Sequence, residues 1–284
     1  MSKIAVVYNP VSGARILGDL RTKIKKILTD KGFILTWIET KPGFHQDLQE
    51  LLNHQFHRIF VVGGDGTFAS VANFCLQHQI STPLAIIPKG CANLLALSQH
   101  LPLFSVKKAI DIGLNRKITK IDAMKINQNF YGFTGAGCGF DVRILKHATR
   151  AIKQKFGLIS YVIGFFKHFF THPSETFNLT INDQEIQITA KSIMVFNALP
   201  FSELKFAQIL LKHKIKPDDG ILNVIAFNPR FPWSIIKIDK KQAFTGQRII
   251  IKSAYQETFQ VDGKVFEGQQ LKIEIMPKVI EIVC

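Results

Sequence analysis

The sequence predicts an α/β N-terminal domain with a parallel sheet, followed by a mainly antiparallel β-sandwich domain with a helical insert. Three observations support this prediction. Apolar runs alternate with helical patterns through residues 1–120, which is typical of a parallel sheet covered on both faces. From Arg116 the pattern changes to short alternating strands, and one long apolar segment interrupts them. At 284 residues the chain is long enough for two domains, which we place at 1–120 and 121–284.

The first domain opens with a continuous apolar strand, Ile4 to Tyr8, which runs into a turn cluster and then a helical pattern. The same strand, loop and helix unit recurs along the domain. The remaining predicted elements are a strand at 33–38, a helix near 45–53, a strand at 58–62, a helix at 67–78, a strand at 84–87 and a helix after Pro88. The loops after these strands are expected to line one edge of the sheet.

The second domain consists of short strands with a turn at Asn182–Asp183 and a helical insert from about 142 to 170. The predicted strands lie at 117–126, 130–136, 176–181, 185–189, 191–197, 221–227, 248–254, 257–263, 271–276 and 279–283. The apolar helix Leu158 to Phe170 has two interpretations that the sequence leaves open. It is either a core element or the lining of a cleft for an acyl chain.

Composition predicts a folded cytoplasmic protein that is soluble or peripheral on a membrane. Hydrophobic residues make up 46% of the chain and charged residues 20%, a balance that excludes extended disorder. The four cysteines have no C-x-x-C spacing, so neither a zinc framework nor a disulfide scaffold is expected. The first residues lack the pattern of a secretory signal. The longest apolar stretch, Phe156 to Phe170, is shorter than the ~20 residues of a spanning helix.

The net charge of +15 has two open interpretations. It is either a general solvated surface or a bias toward phosphate-bearing partners, including nucleotides and anionic lipid headgroups. No motif for reading nucleic acid is present, so a nucleic-acid partner is not expected. Nothing in the sequence indicates an oligomeric state.

The stretch VVGGDGTFAS at Val61 to Ser70 places three glycines and an aspartate directly after a buried strand. Glycines at this point allow backbone N–H groups to approach a phosphate, and the following helix directs its positive end to the same place. Asp65 fits such a cradle if Mg²⁺ lies between the carboxylate and the phosphates. The alternative is an aspartate that caps a helix at an ordinary strand-to-helix turn.

Other nucleotide and metal motifs are excluded by their spacing. No G-x-x-x-x-G-K-[ST] loop occurs, and the segment Gly135 to Phe140 fails the dinucleotide pattern because phenylalanine occupies the position of its last glycine. The histidines form no H-E-x-x-H motif, and the pair His54 and His57 has no nearby cysteine or acidic partner. The glycine loop is therefore the strongest local indication of chemistry.

Three motifs in the first domain resemble the nucleotide-site motifs of the diacylglycerol kinase family, the lipid kinases that include sphingosine kinases and bacterial relatives. They are YNPVSG at Tyr8 to Gly13, GGDGT at Gly63 to Thr67 and PKGCANLLA at Pro88 to Ala96. Later matches are Asp122, GAGCGFD at 135–141, the segment GLISYVIGF, Asn197, PDDGILNV at 217–224 and VDG at 261–263. The resemblance covers essentially the whole chain.

The resemblance implies an ATP- and Mg²⁺-dependent kinase with an ATP site between the two domains and a lipid substrate. The nucleotide residues it implies are Asn9, Ser12, Gly13, Gly63, Gly64, Asp65, Gly66, Thr67, Gly90 and Asn93. In the family the aspartate of the late D-G-E motif is the general base, which corresponds to Asp262. A structural divalent ion would be held by Asp219 with the carbonyls of Lys216 and Ile221. Contact with an anionic membrane surface is also expected.

The sequence departs from the family at several positions. Lys264 replaces the glutamate of D-G-E, Cys91 replaces a threonine, and the segment 198–215 lacks the usual glycine-rich and P-x-A patterns. An ammonium of Lys264 that points inward would lower the pKa of Asp262. Two other interpretations are that Lys264 holds the γ-phosphate, or that it points outward with Glu267 as a substitute acid. Two functions therefore remain open, an active lipid kinase and a catalytically impaired nucleotide- or lipid-binding relative.

Overall fold

The computed structural model describes residues 2–13, 19–41, 47–52, 55–127, 130–139, 174–200, 215–228 and 242–284. These residues form two compact units. Unit 1 comprises Met1–Ile121 together with Lys278–Cys284, and unit 2 comprises Asp122–Pro277. The division at 1–120 and 121–284 stays a prediction. What the sequence did not indicate is that the last residues of the chain join the first unit.

Unit 1 is built around a parallel sheet. Its elements are β1 (Lys3–Tyr8), α1 (Leu20–Asp30), β2 (Ile34–Glu39), a 3-10 helix (Asp47–Leu52), β3 (Arg58–Gly63), α2 (Asp65–Gln77), β4 (Leu84–Pro88), α3 (Leu94–Ser98), α4 (Val106–Asn115) and the start of β5 (Ile118–Ile126). The sheet has β2 at one edge, followed by β1, β3 and β4. The last residues of the chain pair parallel with β4 through Ile282 and Leu84.

The core of unit 1 follows from residue spacing. β1 and β3 are continuous apolar strands because both faces of a parallel sheet are covered. Helix α1 buries Leu20, Ile24 and Leu28, which are four residues apart and so lie on one face. Its N-terminus is capped by the side chain of Asp19, which accepts a hydrogen bond from the backbone N–H of Thr22 at 3.0 Å. The helix predicted near 45–53 is a 3-10 helix, consistent with the three-residue spacing of its buried leucines.

Unit 2 is antiparallel. Its elements are the end of β5, then β6 (Phe130–Gly132), β7 (Gly135–Gly139), β8 (Glu175–Ile181), β9 (Gln184–Ala190), β10 (Ser192–Phe196), β11 (Leu222–Phe227), β12 (Ala243–Gly246), β13 (Arg248–Val261) and β14 (Lys264–Val283). The strand order β12, β11, β10, β7, β13, β14 runs across the unit. β8 pairs with the first part of β13, and β9 pairs with β8.

The hairpin of β13 and β14 organises unit 2. β13 pairs with β8 at Ile249–Lys252 and with β7 at Phe259–Val261, and its register against β14 shifts between Lys252 and Glu257. Such an irregularity bends a strand, so one strand takes part in two groups of strands. One hydrophobic core contains side chains of both groups, among them Phe177 of β8 and Val195 of β10.

The predicted succession of parallel and then antiparallel strands is confirmed. The sequence placed a break inside each of the two longest strands. The predicted strands 248–254 and 257–263 form the single strand β13, and 271–276 and 279–283 both lie within β14. The helical insert at about 142 to 170 lies outside the described residues. No helix among the described residues is long and apolar enough to cross a bilayer.

Candidate active site

Three loops of unit 1 follow β1, β3 and β4 and lie against one another. In a parallel sheet the carboxyl ends of neighbouring strands share one edge, so these loops are brought together by the strand order. The loops are 9–13, 63–67 and 89–93, and they carry every nucleotide residue that the resemblance implied. They are joined by the hydrogen bond from the Lys89 N–H to the Gly63 carbonyl at 2.8 Å.

The first loop contacts both of the others. The Asn9 side chain donates to the Thr67 hydroxyl at 2.9 Å, and its oxygen accepts from the Val11 N–H at 3.1 Å. Gly13 has φ +74°, and a Cβ built on it would lie 2.0 Å from the carbonyl oxygen of Lys89. Only glycine satisfies both the backbone conformation and the close approach at this position.

The second and third loops approach through their glycines. A Cβ on Gly64 would lie 2.8 Å from the Cα of Gly90, and a Cβ on Gly90 would lie 2.5 Å from the Cα of Gly64. Nothing lies within 4 Å of a Cβ on Gly66, which is exposed in the first turn of α2. Gly64 and Gly90 are therefore required by loop contact, whereas Gly66 leaves the backbone open to an approaching group.

The carboxylate of Asp65 caps a helix, but the helix is α3 and not its own. One carboxylate oxygen accepts from the Leu94 N–H and the other from the Leu95 N–H, each at 3.0 Å. Such charge-assisted bonds at a helix N-terminus are among the stronger hydrogen bonds in proteins. Of the two interpretations of Asp65 that the sequence left open, the described contacts are those of a cap, although in an unexpected place.

Asn93 fixes the shape of the third loop. It has φ +50°, accepts from the Gly90 N–H at 2.8 Å and donates to the Gly90 carbonyl at 2.7 Å. The ammonium of Lys89 lies 3.1 Å from the Tyr8 hydroxyl. The arrangement therefore combines an open glycine backbone, the N-terminus of the 13-residue helix α2 and an adjacent ammonium, which are features that attract anions.

In unit 2, Asp262 lies in a two-residue hairpin turn between β13 and β14. Asp262 has φ +48° and Gly263 φ +80°, and the flanking residues Val261 and Lys264 pair. This is the type I′ geometry that Asp-Gly favours. The predicted strand 257–263 is therefore wrong in its last two residues, because Asp262 and Gly263 form the turn.

The Asp262 carboxylate accepts four hydrogen bonds from a neighbouring segment. One oxygen, Oδ1, accepts from the N–H and hydroxyl of Thr134 at 2.9 and 2.5 Å and from the Gly135 N–H at 3.0 Å. Oδ2 accepts from the Phe133 N–H at 2.6 Å. Burial raises the pKa of Asp262, and the hydrogen bonds of Thr134, Gly135 and Phe133 oppose that rise. The residue as a whole is half-buried because its backbone lies in the turn.

The ammonium of Lys264 lies against two aromatic rings. It lies 4.5 Å from the ring centre of Phe130 and 5.5 Å from that of Phe266, and the two rings are 5.5 Å apart. The ammonium is held by cation–π contacts, and it is not among the causes of the pKa shift of Asp262. Of the interpretations left open for Lys264, the outward one agrees with these contacts.

Replacing Lys264 by leucine is expected to lower the free energy of unfolding by less than about 1 kcal/mol, because an exposed cation–π contact contributes little. The pH dependence of any activity that uses Asp262 should not change. Urea unfolding and a pH–rate profile measure the two effects. A displaced acid limb would show that the ammonium acts on the carboxylate after all.

Two buried polar residues that the sequence analysis identified as family matches, Asn197 and Asp122, extend this part of unit 2. Asn197 donates to the carbonyls of Phe133 at 2.9 Å and Asp122 at 3.3 Å, and its own oxygen is buried without a partner among the described residues. The carboxylate of Asp122 accepts from the Gly220 N–H at 2.7 Å. The segment 133–135 is thus held by Asp262 through its N–H groups and by Asn197 through a carbonyl.

The predicted metal residues lie on one turn. Asp219 accepts from the Ile221 N–H at 3.0 Å, and Lys216 also hydrogen-bonds its carboxylate through the backbone. Partial burial raises the pKa of Asp219, and the carboxylates of Asp122 and Asp218 raise it further. Among the described residues, no three His, Cys, Asp or Glu side chains are arranged to hold a metal ion. A cation here would need backbone carbonyls as additional ligands.

Comparison with known proteins found one family model and several named relatives that are similar to this chain. Residues 3–126 match the model of the diacylglycerol kinase catalytic domain. A protein named "Putative lipid kinase" from Staphylococcus haemolyticus is 25% identical over 238 residues, which cover 79% of this chain and 75% of the relative. A protein of the same description from Staphylococcus aureus is 24% identical over 237 residues, with 79% and 76% covered.

Solved structures agree in fold. A crystal structure described as "a putative diacylglycerol kinase" from Bacillus anthracis has a TM-score of 0.80 at 20% identity, covering 99% of this chain and 95% of that one. A second Bacillus anthracis structure, described as a diacylglycerol kinase, has a TM-score of 0.74 at 21% identity and covers 99% and 96%. Residues 3–126 therefore resemble the catalytic domain of the diacylglycerol kinase family. The resemblance to these lipid kinases that the motifs predicted is confirmed, and so is the prediction of a kinase as the class of enzyme.

Proposed function

We propose that this protein transfers the γ-phosphate of ATP to a hydroxyl group of diacylglycerol or a similar lipid. The observation that supports this most is the contact of three loops whose glycines and asparagine are fixed by close packing, as Gly64 and Gly90 illustrate. Their motifs lie within the residues that match the kinase catalytic domain. The similarity to proteins named as lipid kinases supports a lipid as the acceptor.

In this proposal the nucleotide binds at the loops of unit 1. Its phosphate oxygens accept hydrogen bonds from the backbone N–H groups at the start of α2, where Gly66 presents no side chain. Asp65 acts through α3, because its carboxylate holds the N–H groups of Leu94 and Leu95 and so positions the third loop. Asn9, Ser12, Thr67 and Asn93 shape the same surface.

Asp262 is the proposed general base. It would accept the proton of the lipid hydroxyl as that oxygen attacks the γ-phosphorus. Oδ1 already accepts three hydrogen bonds, whereas Oδ2 accepts one from the described residues. Oδ2 therefore retains a lone pair for a proton, and its partner Oδ1 keeps the carboxylate oriented.

The turn at Asp219 is the proposed site of a structural divalent cation. Burial, and to a smaller extent the carboxylates of Asp122 and Asp218, raise the pKa of Asp219, and a bound cation would offset both effects on the ionised carboxylate. Asp219 and the carbonyls of Lys216 and Ile221 would hold the ion. A second Mg²⁺ ion would enter bound to ATP and would neutralise the phosphates of the nucleotide.

Added Mg²⁺ is expected to raise the midpoint of thermal unfolding, because an ion that binds only the folded state stabilises it. Asp219→Asn should abolish this increase. Asp183→Asn, a change at an exposed aspartate on another turn of unit 2, is the matched control and should keep it. An increase that persists in Asp219→Asn would place the ion elsewhere.

We further propose that unit 2 is a β-sandwich that binds the lipid. One hydrophobic core takes side chains from both groups of strands that β13 joins, which is the packing a sandwich requires. Contact with an anionic membrane would bring the enzyme to its substrate, and the net charge of +15 favours such contact.

The test is to incubate the purified protein with labelled ATP, Mg²⁺ and a mixed lipid extract, and to look for label in the organic phase. We expect a labelled lipid that is absent without protein. The alternative is a catalytically impaired relative, and the observation that favours it is the engagement of the Asp262 carboxylate by four donors. Nucleotide binding without any labelled lipid would support that alternative and reject the kinase activity.

A further inference from the structure

Phe104 differs from every other large hydrophobic residue in the described part of the chain. Its side chain is 100% exposed, whereas the next most exposed, Val11, reaches 52%. The segment that carries it is not loose. Leu101 is buried at 5% exposure, and its N–H donates to the Ala96 carbonyl at 2.9 Å. The exposed phenyl ring of Phe104 therefore follows a backbone segment that is fixed by burial and hydrogen bonding at Leu101.

Local helix rules predict a different position for this ring. Ser105 caps α4, since its side chain accepts from the Lys108 N–H at 3.3 Å. A hydrophobic residue directly before such a cap commonly packs on the fifth residue of the motif, which here is Ala109. Ala109 is buried at 1% exposure while Phe104 is fully exposed, so this contact is not made. Helix stability does not account for the phenylalanine.

The charges beside Phe104 contradict a second local rule. Lys107 and Lys108 are both exposed in the first turn of α4, which contains no acidic residue. Cations are unfavourable at a helix N-terminus because the helix dipole is positive there. Neither lysine makes an ion pair with the residues that the structure describes. The exposed phenyl ring and the two lysines at the helix N-terminus both reduce local stability. Residues that reduce local stability without compensation are expected at functional surfaces.

The segment lies at the edge of the sheet that carries the three loops. Gln99 contacts the Sγ of Cys284 at 3.1 Å, and Cys284 follows the terminal strand residues that pair parallel with β4. Because Val283 pairs with Ala85, this contact places Gln99 beside β4. At the other end of α4, a Cβ on Gly113 would lie 2.8 Å from Ala85, the second residue of β4. A helix that follows a strand of a parallel sheet generally runs antiparallel to that strand. With Gly113 near the amino end of β4, the first turn of α4 and Phe104 are therefore expected toward its carboxyl end.

We propose that Phe104, Lys107 and Lys108 form a membrane anchor that inserts the phenyl ring into an anionic bilayer. An aromatic ring at the interface with cations among the headgroups is a favourable combination there. A stable protein interface needs about 800 Å² from each partner, and one ring with two lysines is far smaller than that. Insertion would turn the edge bearing the nucleotide loops toward the lipid. The anchor therefore rests on the proposed lipid kinase function, because it would bring the site to its substrate. Its binding to a membrane needs neither ATP nor turnover.

The test is sedimentation of the full chain with vesicles of equal parts phosphatidylglycerol and phosphatidylcholine, without nucleotide. We expect Phe104→Ser to weaken binding about tenfold through the lost apolar insertion. Lys107→Gln with Lys108→Gln should weaken it about tenfold or more at low salt, with little difference at high salt. Ile34→Ser, which removes another exposed apolar side chain at the amino end of β2, is the matched control and should bind like the unaltered protein.

A second measurement reports the ring itself. In Phe104→Trp the added indole fluorescence should shift to shorter wavelength with these vesicles and be quenched by brominated lipids. Equal vesicle binding by Phe104→Ser and the unaltered protein, or an indole that stays in water, would overturn the anchor. So would an unaltered protein that does not sediment, which would favour a protein partner for this surface. None of these results depends on phosphate transfer. A failure of the membrane anchor therefore does not reject the kinase activity, which is tested separately by the labelled-lipid assay.

Discussion

Asp262→Asn is expected to lower the rate of phosphate transfer by about a hundredfold or more, while ATP affinity changes little, because a general base contributes roughly 10²–10⁴ in rate. The substitution also disturbs the structure. If the amide oxygen keeps the three bonds of Oδ1, the amide nitrogen faces the Phe133 N–H, two donors in contact. We expect this to cost about 1–3 kcal/mol of unfolding free energy. Turnover, ATP titration and urea unfolding separate the effects.

Thr134→Val is the matched control for that disturbance. It removes one donor from Oδ1 but leaves the carboxylate able to accept a proton. We expect a similar or smaller loss of stability with a rate within about tenfold of the unaltered protein. Because the Thr134 hydroxyl lowers the pKa of Asp262, its removal should raise that pKa and move the acid limb of the pH–rate profile to higher pH. Equal loss of rate in both variants would make Asp262 a structural residue.

Gly90→Ala is expected to destabilise unit 1 by about 3 kcal/mol and to abolish ATP binding. The new Cβ would lie 2.5 Å from the Cα of Gly64 and 2.8 Å from the side-chain oxygen of Asn93. The first neighbour is backbone, so relief requires the two loops to separate. Urea unfolding and calorimetric titration with ATP measure both losses.

Gly66→Ala separates folding from binding in the same loop. No atom lies within 4 Å of its new Cβ, and the residue is in a helix, so stability should stay the same or rise by up to about 1 kcal/mol. ATP affinity should fall if phosphates approach the first turn of α2. Unchanged affinity would remove Gly66 from the nucleotide site. A stable Gly90→Ala that still binds ATP would contradict the need for close loop contact.

Local pattern was sufficient for much of unit 1. The apolar strands, the spacing of Leu20, Ile24 and Leu28, and the turn signals between them are properties of neighbouring residues. The glycine motifs also marked the loops correctly, because a strand end followed by glycines and a helix is a local arrangement. The long strands of unit 2 were harder, since the irregularity between Lys252 and Glu257 resembles a chain break when only the sequence is considered.

Partners that are distant in sequence were not predictable. Asp65 caps a helix that begins 29 residues later, and Asp262 binds a segment 127 to 129 residues earlier. The sequence did not show where the ammonium of Lys264 lies. The structure places it against the rings of Phe130 and Phe266. Spacing along the chain carries no information about such pairs, because tertiary packing alone decides which donors reach a carboxylate.

The sequence by itself determined the kinase family resemblance, the alternation of strands and helices, and the identity of the loop residues. Only the tertiary structure decided what those residues do to one another: Gly64 and Gly90 meet backbone to backbone, Asp65 supports α3, and Asp262 is held by its own unit. The physical reason is range. Propensity and periodicity act over a few residues, whereas close packing and the satisfaction of buried charges act between segments that folding brings into contact.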